Sequence, residues 1–163
     1  MKYSKNPLTG KDYILPSSLC DSVSIDNFIN NNNGKPIVVV QGLGFVGAVM
    51  SLVCANAING DYAVIGVDLP SEESYWKIAS INDGIFPVVS SDKKVDMFFQ
   101  NAKNKENFMA TFDNYAYSKA DFIIVDINLD VQKKSTEMHD LIDYDVDISG
   151  FKNAIRAIGA NCK

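Results

Sequence analysis

An open α/β fold, a parallel sheet covered by helices on both faces, is the class this sequence predicts, and three observations predict it. Ile37-Val38-Val39-Val40 is a β-branched run that feeds Gln41 and then Gly42, Gly44 and Gly47, spaced G-x-G-x-x-G. The next residues, Ala48-Val49-Met50-Ser51-Leu52-Val53-Cys54-Ala55, have the make-up of a helix packed on a sheet. A second apolar strand, Ala63-Val64-Ile65-Gly66-Val67, follows and ends in Asp68. Strands continue to alternate with helices beyond it, which extends the unit into a Rossmann-type, doubly wound parallel sheet in a three-layer α/β/α arrangement.

The elements follow in order. Residues 1–35 form an N-terminal extension that ends in Asn30-Asn31-Asn32-Asn33-Gly34-Lys35-Pro36, the chemistry of a linker, and residues 36–163 form the dinucleotide-binding domain. Within the extension Ile25, Phe28 and Ile29 share a helical face after a cap at Ser24, which predicts a short helix docked on the domain. After Asp68, Ser71 is expected to cap a helix carrying Glu72 and Glu73 in its first turn and running to about Ile81, before the turn Asn82-Asp83-Gly84. Ile85-Phe86-Pro87-Val88-Val89 is an extended connection. Ser91-Asp92 then starts a helix with Val95, Phe98, Phe99 and Ala102 on its apolar face.

Residues 108–112 predict a short strand, 114–119 a brief helix, and 122–127 a strand whose near-continuous apolar run suits a buried parallel position. Residues 128–147, mixed and highly charged, read as a loop or a helical excursion at the carboxyl edge of the sheet. Residues 148–159 predict a last helix with Phe151, Ile155 and Ile158 facing inward. The first and fourth strands, ending at Gln41 and Ile127, are expected to flank a ligand crevice.

With 163 residues, 47% of them hydrophobic, the chain suits one domain with a sizeable core. Its net charge of -5 argues against a nucleic-acid partner, since no Lys/Arg cluster offsets the acidic balance and the doublets Lys93-Lys94 and Lys133-Lys134 read as solvated surface. No signal-peptide pattern opens the chain, and no apolar run approaches the 18 or so residues of a membrane span, so a cytoplasmic protein with no membrane partner is expected. Cys20, Cys54 and Cys162 lack metal-ligand spacing, so no metal is expected; Cys54, inside the first helix, reads as a buried inert thiol. His139, the only histidine, lies in a polar stretch and reads as a surface residue.

The glycine turn carries the chemistry. Gly42 permits the tight strand-to-helix turn, Gly44 lets the backbone approach a pyrophosphate, and Gly47 lets the helix lie close to the strand. The helix N-terminus offers free N–H groups and a partial positive charge to phosphates. Asp68 stands 26 residues after Gly42, near the roughly 20 expected of the acid that binds the adenosine ribose hydroxyls. An acid there accepts from a 2′-hydroxyl and repels a 2′-phosphate, so NAD is favoured over NADP. The candidate cofactor-binding residues are Gly42, Leu43, Gly44, Phe45, Val46, Gly47, Asp68, Ile127 and Asn128; no catalytic residue is assigned.

These residues resemble the N-terminal, NAD-binding domain of the UDP-glucose/GDP-mannose dehydrogenase family. The opening Val38-Val39-Val40-Gln41-Gly42-Leu43-Gly44-Phe45-Val46-Gly47 is similar to that family's first strand and turn, and Ile65-Gly66-Val67-Asp68 to its second strand. Further similar pieces, in the family's order, are residues 81–87, 110–113, 119–125 and 154–159. The resemblance covers most of Pro36 to Lys163. It implies a parent enzyme that oxidises the C6 alcohol of a nucleotide sugar to the carboxylate, passing two hydrides to two NAD molecules through thiohemiacetal and thioester intermediates on a cysteine of a later domain. It also implies dimerisation through regions outside this chain.

The chain departs from the family in two places. Asn128-Leu129-Asp130 stands where the family has a Pro-Thr-Pro turn, so no threonine role is carried over and Asn128 is the polar group left nearby. Val88-Val89-Ser90 stands where the family often has an acid after Ser-Pro-Ile. Cys162, in Asn161-Cys162-Lys163, lacks the surroundings of the family's nucleophile and is given no role. The alternatives are the cofactor domain of a 6-phosphogluconate- or hydroxyacid-type dehydrogenase, and a non-catalytic NAD-binding module.

Overall fold

The computed structural model describes residues 2–135 and 141–162. Its elements are β1 (Tyr3–Lys5), β2 (Asp12–Ile14), α1 (Ser22–Asn31), β3 (Ile37–Gln41), α2 (Phe45–Ala55), β4 (Ala63–Val67), α3 (Tyr75–Asn82), α4 (Lys93–Lys105), β5 (Phe108–Thr111), a 3-10 turn (Asn114–Lys119), β6 (Phe122–Val125), β7 (Asp130–Ser135), β8 (Leu141–Asp147) and α5 (Ser149–Asn161).

β3, β4, β5 and β6 form a parallel sheet in the order β5-β4-β3-β6. Winding outward from β3 through β4 to β5 and then returning to β6 on the other side creates a switch point between β3 and β6, where such sheets open to ligands. Alternation along the strands divides the core in two. Val38, Val40, Val64 and Ala110 meet Leu52 and Ala55 of α2, Ile78 and Ile81 of α3, and Phe99 and Ala102 of α4. Ile37, Val39, Ala63, Ile65 and Val67 meet Ile25 of α1, Ala116 and Tyr117 of the 3-10 turn, and Ile158 of α5. Three layers result, as the two-residue period of a sheet covered on both faces requires.

The N-terminal segment supplies part of that third layer. Ile25 is fully buried, with Phe28 and Ile29 packed beside it, on the helical face the sequence predicts. The asparagine run, expected as a linker, is tied down: buried Asn32 donates to the Phe28 and Glu106 carbonyls at 3.1 and 3.0 Å. Antiparallel β1 and β2 form a hairpin that the sequence did not announce, because three-residue strands carry almost no periodic signal.

Several expectations are corrected. The helix after Asp68 begins at Tyr75, because Ser71 closes a turn in which its carbonyl accepts from the Ser74 and Tyr75 N–H groups; Glu72 and Glu73 lie in that turn. Ser74, at the N-cap, makes no side-chain cap bond. The bond comes from Ser4, whose Oγ accepts from the Trp76 N–H at 2.9 Å. β6 pairs with β3 alone among the described strands and leaves Phe122 exposed, so it is an edge strand rather than a buried one.

Residues 130–147 form neither loop nor helix where described, but an antiparallel hairpin of β7 and β8. Ile142-Asp143-Tyr144-Asp145-Val146-Asp147 alternates apolar and acidic residues, a strand signal masked by the charge of the segment. α5 is present, but Phe151 and Ile155 are exposed and only Ile158 reaches the core. By contrast α4 forms as expected, Asp92 accepting from the Lys94 N–H at 2.9 Å. His139 lies outside the described residues.

Candidate functional site

A cavity of about 750 Å³ opens at the carboxyl ends of β3, β4 and β6. The glycine turn forms its floor, Asp68, Leu69 and Lys77 one wall, and Asp126, Ile127 and Asn128 another. α5 closes it with Gly150, Asn153, Ala154 and Ala157, a row of small and polar residues at helical spacing. That geometry explains why Phe151 and Ile155 are not buried: α5 turns a face toward the cavity rather than toward the sheet.

The three glycines divide the labour. Gly42 has φ of +96°, and a Cβ there would lie 1.9 Å from the Asp126 carbonyl oxygen, so only glycine lets the turn pass under the end of β6. Its N–H donates to the Val67 carbonyl at 2.8 Å, continuing the β3–β4 ladder. Gly47 is buried behind the turn and does not line the cavity; a Cβ would meet the Gly42 carbonyl oxygen at 2.0 Å. Gly44 differs from both. Nothing lies within 4 Å of where its Cβ would be, it is exposed, and it lines the cavity as the N-cap of α2.

The first-turn N–H groups of α2 have no intrahelical acceptor, and Gly44 at the N-cap has no side chain to cap them. Beside them, Phe45 and Val46 are exposed and line the cavity, whereas the Leu43 side chain is buried over Gly66 of β4. Anchoring Leu43 fixes the turn while leaving its outer edge bare.

Asp68 is buried at the end of β4 and highly organised. Its Oδ2 accepts from the Leu43 N–H at 3.1 Å and from Lys77 Nζ at 2.7 Å, and its Oδ1 accepts from the Leu69 N–H at 2.7 Å. The acid is thereby tied both to the glycine turn and to α3. Lys77 is a charged member of the wall that sequence reasoning missed, since the irregular segment between Asp68 and α3 hides which residue turns back. A lysine beside the acid offsets its field.

Tyr117 was also missed, and Gln41, expected at the crevice, was given no role. Tyr117 is buried, lines the cavity and donates its hydroxyl to Gln41 Oε1 at the end of β3. Burial foremost, then the negative charge of Asp68, pushes its phenol above the ordinary tyrosine range, so it remains a neutral donor. Leu129 is half exposed and lies outside the cavity lining, while Asn128 belongs to it.

The sequence model described as "UDP-glucose/GDP-mannose dehydrogenase family, NAD binding domain" matches residues 36–163. The chain belongs to this family. Within the dehydrogenase family it corresponds to the NAD-binding domain, so NAD is its cofactor. The match also decides against a 6-phosphogluconate- or hydroxyacid-type cofactor domain.

Solved structures with the same fold include the NDP-N-acetyl-D-galactosaminuronic acid dehydrogenase of Methanosarcina mazei Go1, with TM-score 0.62 and 22% identity over 84% of this chain and 27% of that one. Another is a ternary complex of GDP-mannose dehydrogenase from Pseudomonas aeruginosa, with TM-score 0.56 and 26% identity over 76% of this chain and 24% of that one. A third, the UDP-D-ManNAc dehydrogenase of Pyrococcus horikoshii, gives TM-score 0.55 and 21% identity over 76% of this chain and 25% of that one. The chain thus spans about a quarter of the length of these dehydrogenases. No curated protein sequence matches it. No described helix is long and apolar enough to cross a membrane, and no three or more His, Cys, Asp or Glu among the described residues are grouped so as to hold a metal ion.

Proposed function

We propose that NAD lies in this cavity with its pyrophosphate over Gly44 at the N-terminus of α2, its adenosine ribose hydroxyls on Asp68, and Ile127 and Asn128 along the opposite wall. The observation that carries the reading is the bare space above Gly44 at an uncapped helix start, with a fixed carboxylate beside it. Helix N–H groups there would receive phosphate oxygens without rearrangement. NAD supplies the hydride acceptor when bound; the residues of this chain bind and orient it. Neutral Tyr117 holds the Gln41 amide at the cavity floor, and the face of α5 limits access by water.

Residues 36–163 are on this reading the cofactor unit, with residues 1–35 an extension and the substrate and catalytic domains outside this chain. The whole protein is a cytoplasmic nucleotide-sugar 6-dehydrogenase that oxidises a UDP- or GDP-sugar to the uronic acid used in polysaccharide synthesis. Calorimetric titration with both cofactors tests the binding mode. The chain should take NAD(H) more tightly than NADP(H), and Asp68→Ala should weaken NAD by roughly 1–3 kcal/mol, the cost of losing a charge-assisted hydrogen bond. Equal or tighter NADP binding by the unaltered chain would overturn the role of Asp68.

The chain alone should turn over no nucleotide sugar. Thiol catalysis requires an activated thiolate and donors for the developing oxyanion. Burial instead pushes the Cys54 thiol upward, and Cys20 and Cys162 are exposed and are not among the residues that line the cavity. Reduced-cofactor absorbance with UDP-glucose, UDP-N-acetylmannosamine or GDP-mannose should therefore stay flat. Steady turnover that vanishes in Cys162→Ser would sink this division of labour.

A further inference from the structure

The hairpin of β1 and β2 lies outside the region that carries the family match, yet it grips the helix that bears Lys77. Ser4 is fully buried; its Oγ donates to the Glu72 carbonyl at 2.7 Å and accepts from the Trp76 N–H at 2.9 Å. The second bond is the one an N-cap side chain makes to the second residue of a helix, here delivered from 72 residues away because Ser74 does not make it. Toward the other end of α3, fully buried Asn6 donates to Ser80 Oγ at 2.9 Å, and Ser80 donates to Tyr13 Oη at 3.3 Å. Lys77 lies between these two fixings.

The line of contacts runs on to the cofactor wall. Lys77 Nζ meets Asp68 Oδ2, and the same oxygen holds the Leu43 N–H of the glycine turn. We propose that the N-terminal hairpin is an intramolecular brace for the cofactor cavity, with Ser4 a positioning residue that caps α3 in trans and so sets Lys77 against Asp68. The inference rests on the reading that NAD occupies this cavity. Its physical content is a coupling between hairpin docking and cofactor binding, and such a coupling is reciprocal. Without the cap, the first turn of α3 frays, Lys77 samples other positions, and Asp68 meets the ribose from a less ordered wall.

The experiment measures NAD affinity of the full 163-residue chain by calorimetry for the unaltered protein, Ser4→Ala, Ser4→Thr, Lys77→Met and the Ser4→Ala/Lys77→Met double variant. Ser4→Ala should weaken NAD about fivefold, Ser4→Thr should restore most of that through its own hydroxyl, and Ser4→Ala should add little once Lys77 is gone. A purely structural role would instead shift thermal stability and leave the affinity, and its dependence on Lys77, unchanged. Hydrogen exchange on the unaltered chain supplies a second measure that survives if Ser4→Ala does not fold. NAD should slow exchange in residues 3–6 together with residues 75–78; protection confined to the glycine turn would overturn the brace. Absence of any NAD binding by the unaltered chain would overturn the cofactor reading and the brace with it, whereas normal binding by folded Ser4→Ala would overturn the brace alone.

Discussion

Gly42→Ala should unfold at a markedly lower urea concentration than the unaltered chain, with a loss of about 3 kcal/mol or more. Two costs add at this position. A φ of +96° is strained for any residue with a Cβ, and that Cβ would lie 1.9 Å from the Asp126 carbonyl oxygen. The obstacle is backbone, so no side-chain rotation relieves it. Nor is Asp126 free to retreat, since its N–H donates to the Gln41 carbonyl at 2.8 Å and keeps the end of β6 on β3. Relief therefore requires either the end of β6 to peel away or the turn to reshape, and both displace Ile127 and Asn128 from the cavity wall. A urea midpoint equal to that of the unaltered chain would show that the close passage of Gly42 under β6 is wrong.

Gly44→Val should do the opposite: leave the fold nearly intact and strongly weaken cofactor binding. Gly44 has φ of -67° and ψ of -171°, a conformation valine accepts, and its Cβ would stand in open space. The change in stability should stay within about 1 kcal/mol, the scale of N-cap preferences. The added methyl groups would occupy the approach to the uncapped N–H groups of α2, where phosphate oxygens must come within hydrogen-bonding distance. NAD affinity should fall by about 100-fold or more, equivalent to about 2.7 kcal/mol. Near-normal NAD binding by a folded Gly44→Val protein would remove the pyrophosphate from this turn. Two glycines two positions apart thus separate stability from binding, which makes the pair more informative than either variant alone.

The wall that holds Asp68 lends itself to the same separation. Asp68 belongs to the fold through the Leu43 N–H and to the electrostatics of the site through Lys77, so its removal mixes both effects. Lys77→Met removes the ion pair and leaves the Leu43 bond in place. Comparing NAD with NADP across these variants tests whether the acid rejects a 2′-phosphate and how far the lysine tempers that.

What the sequence determined by itself was the part of the protein whose cause is local. The β-branched run of β3, the glycine spacing, the apolar helix α2 and the strand ending in Asp68 lie within 32 consecutive residues, where the two periods and the left-handed freedom of Gly42 act over a few bonds. The inward face of α4 and the docking face of α1 were legible for the same reason. Tertiary structure alone decided which distant groups meet. Nothing local in Ser4 marks it as the cap of α3, nothing in Tyr117 marks it as the partner of Gln41, and the apolar spacing of α5 does not reveal that its small face closes a cavity. Each depends on chain segments folding back across tens of residues. Sequence periodicity tells a residue which way to face within its own element, and only packing determines what stands opposite.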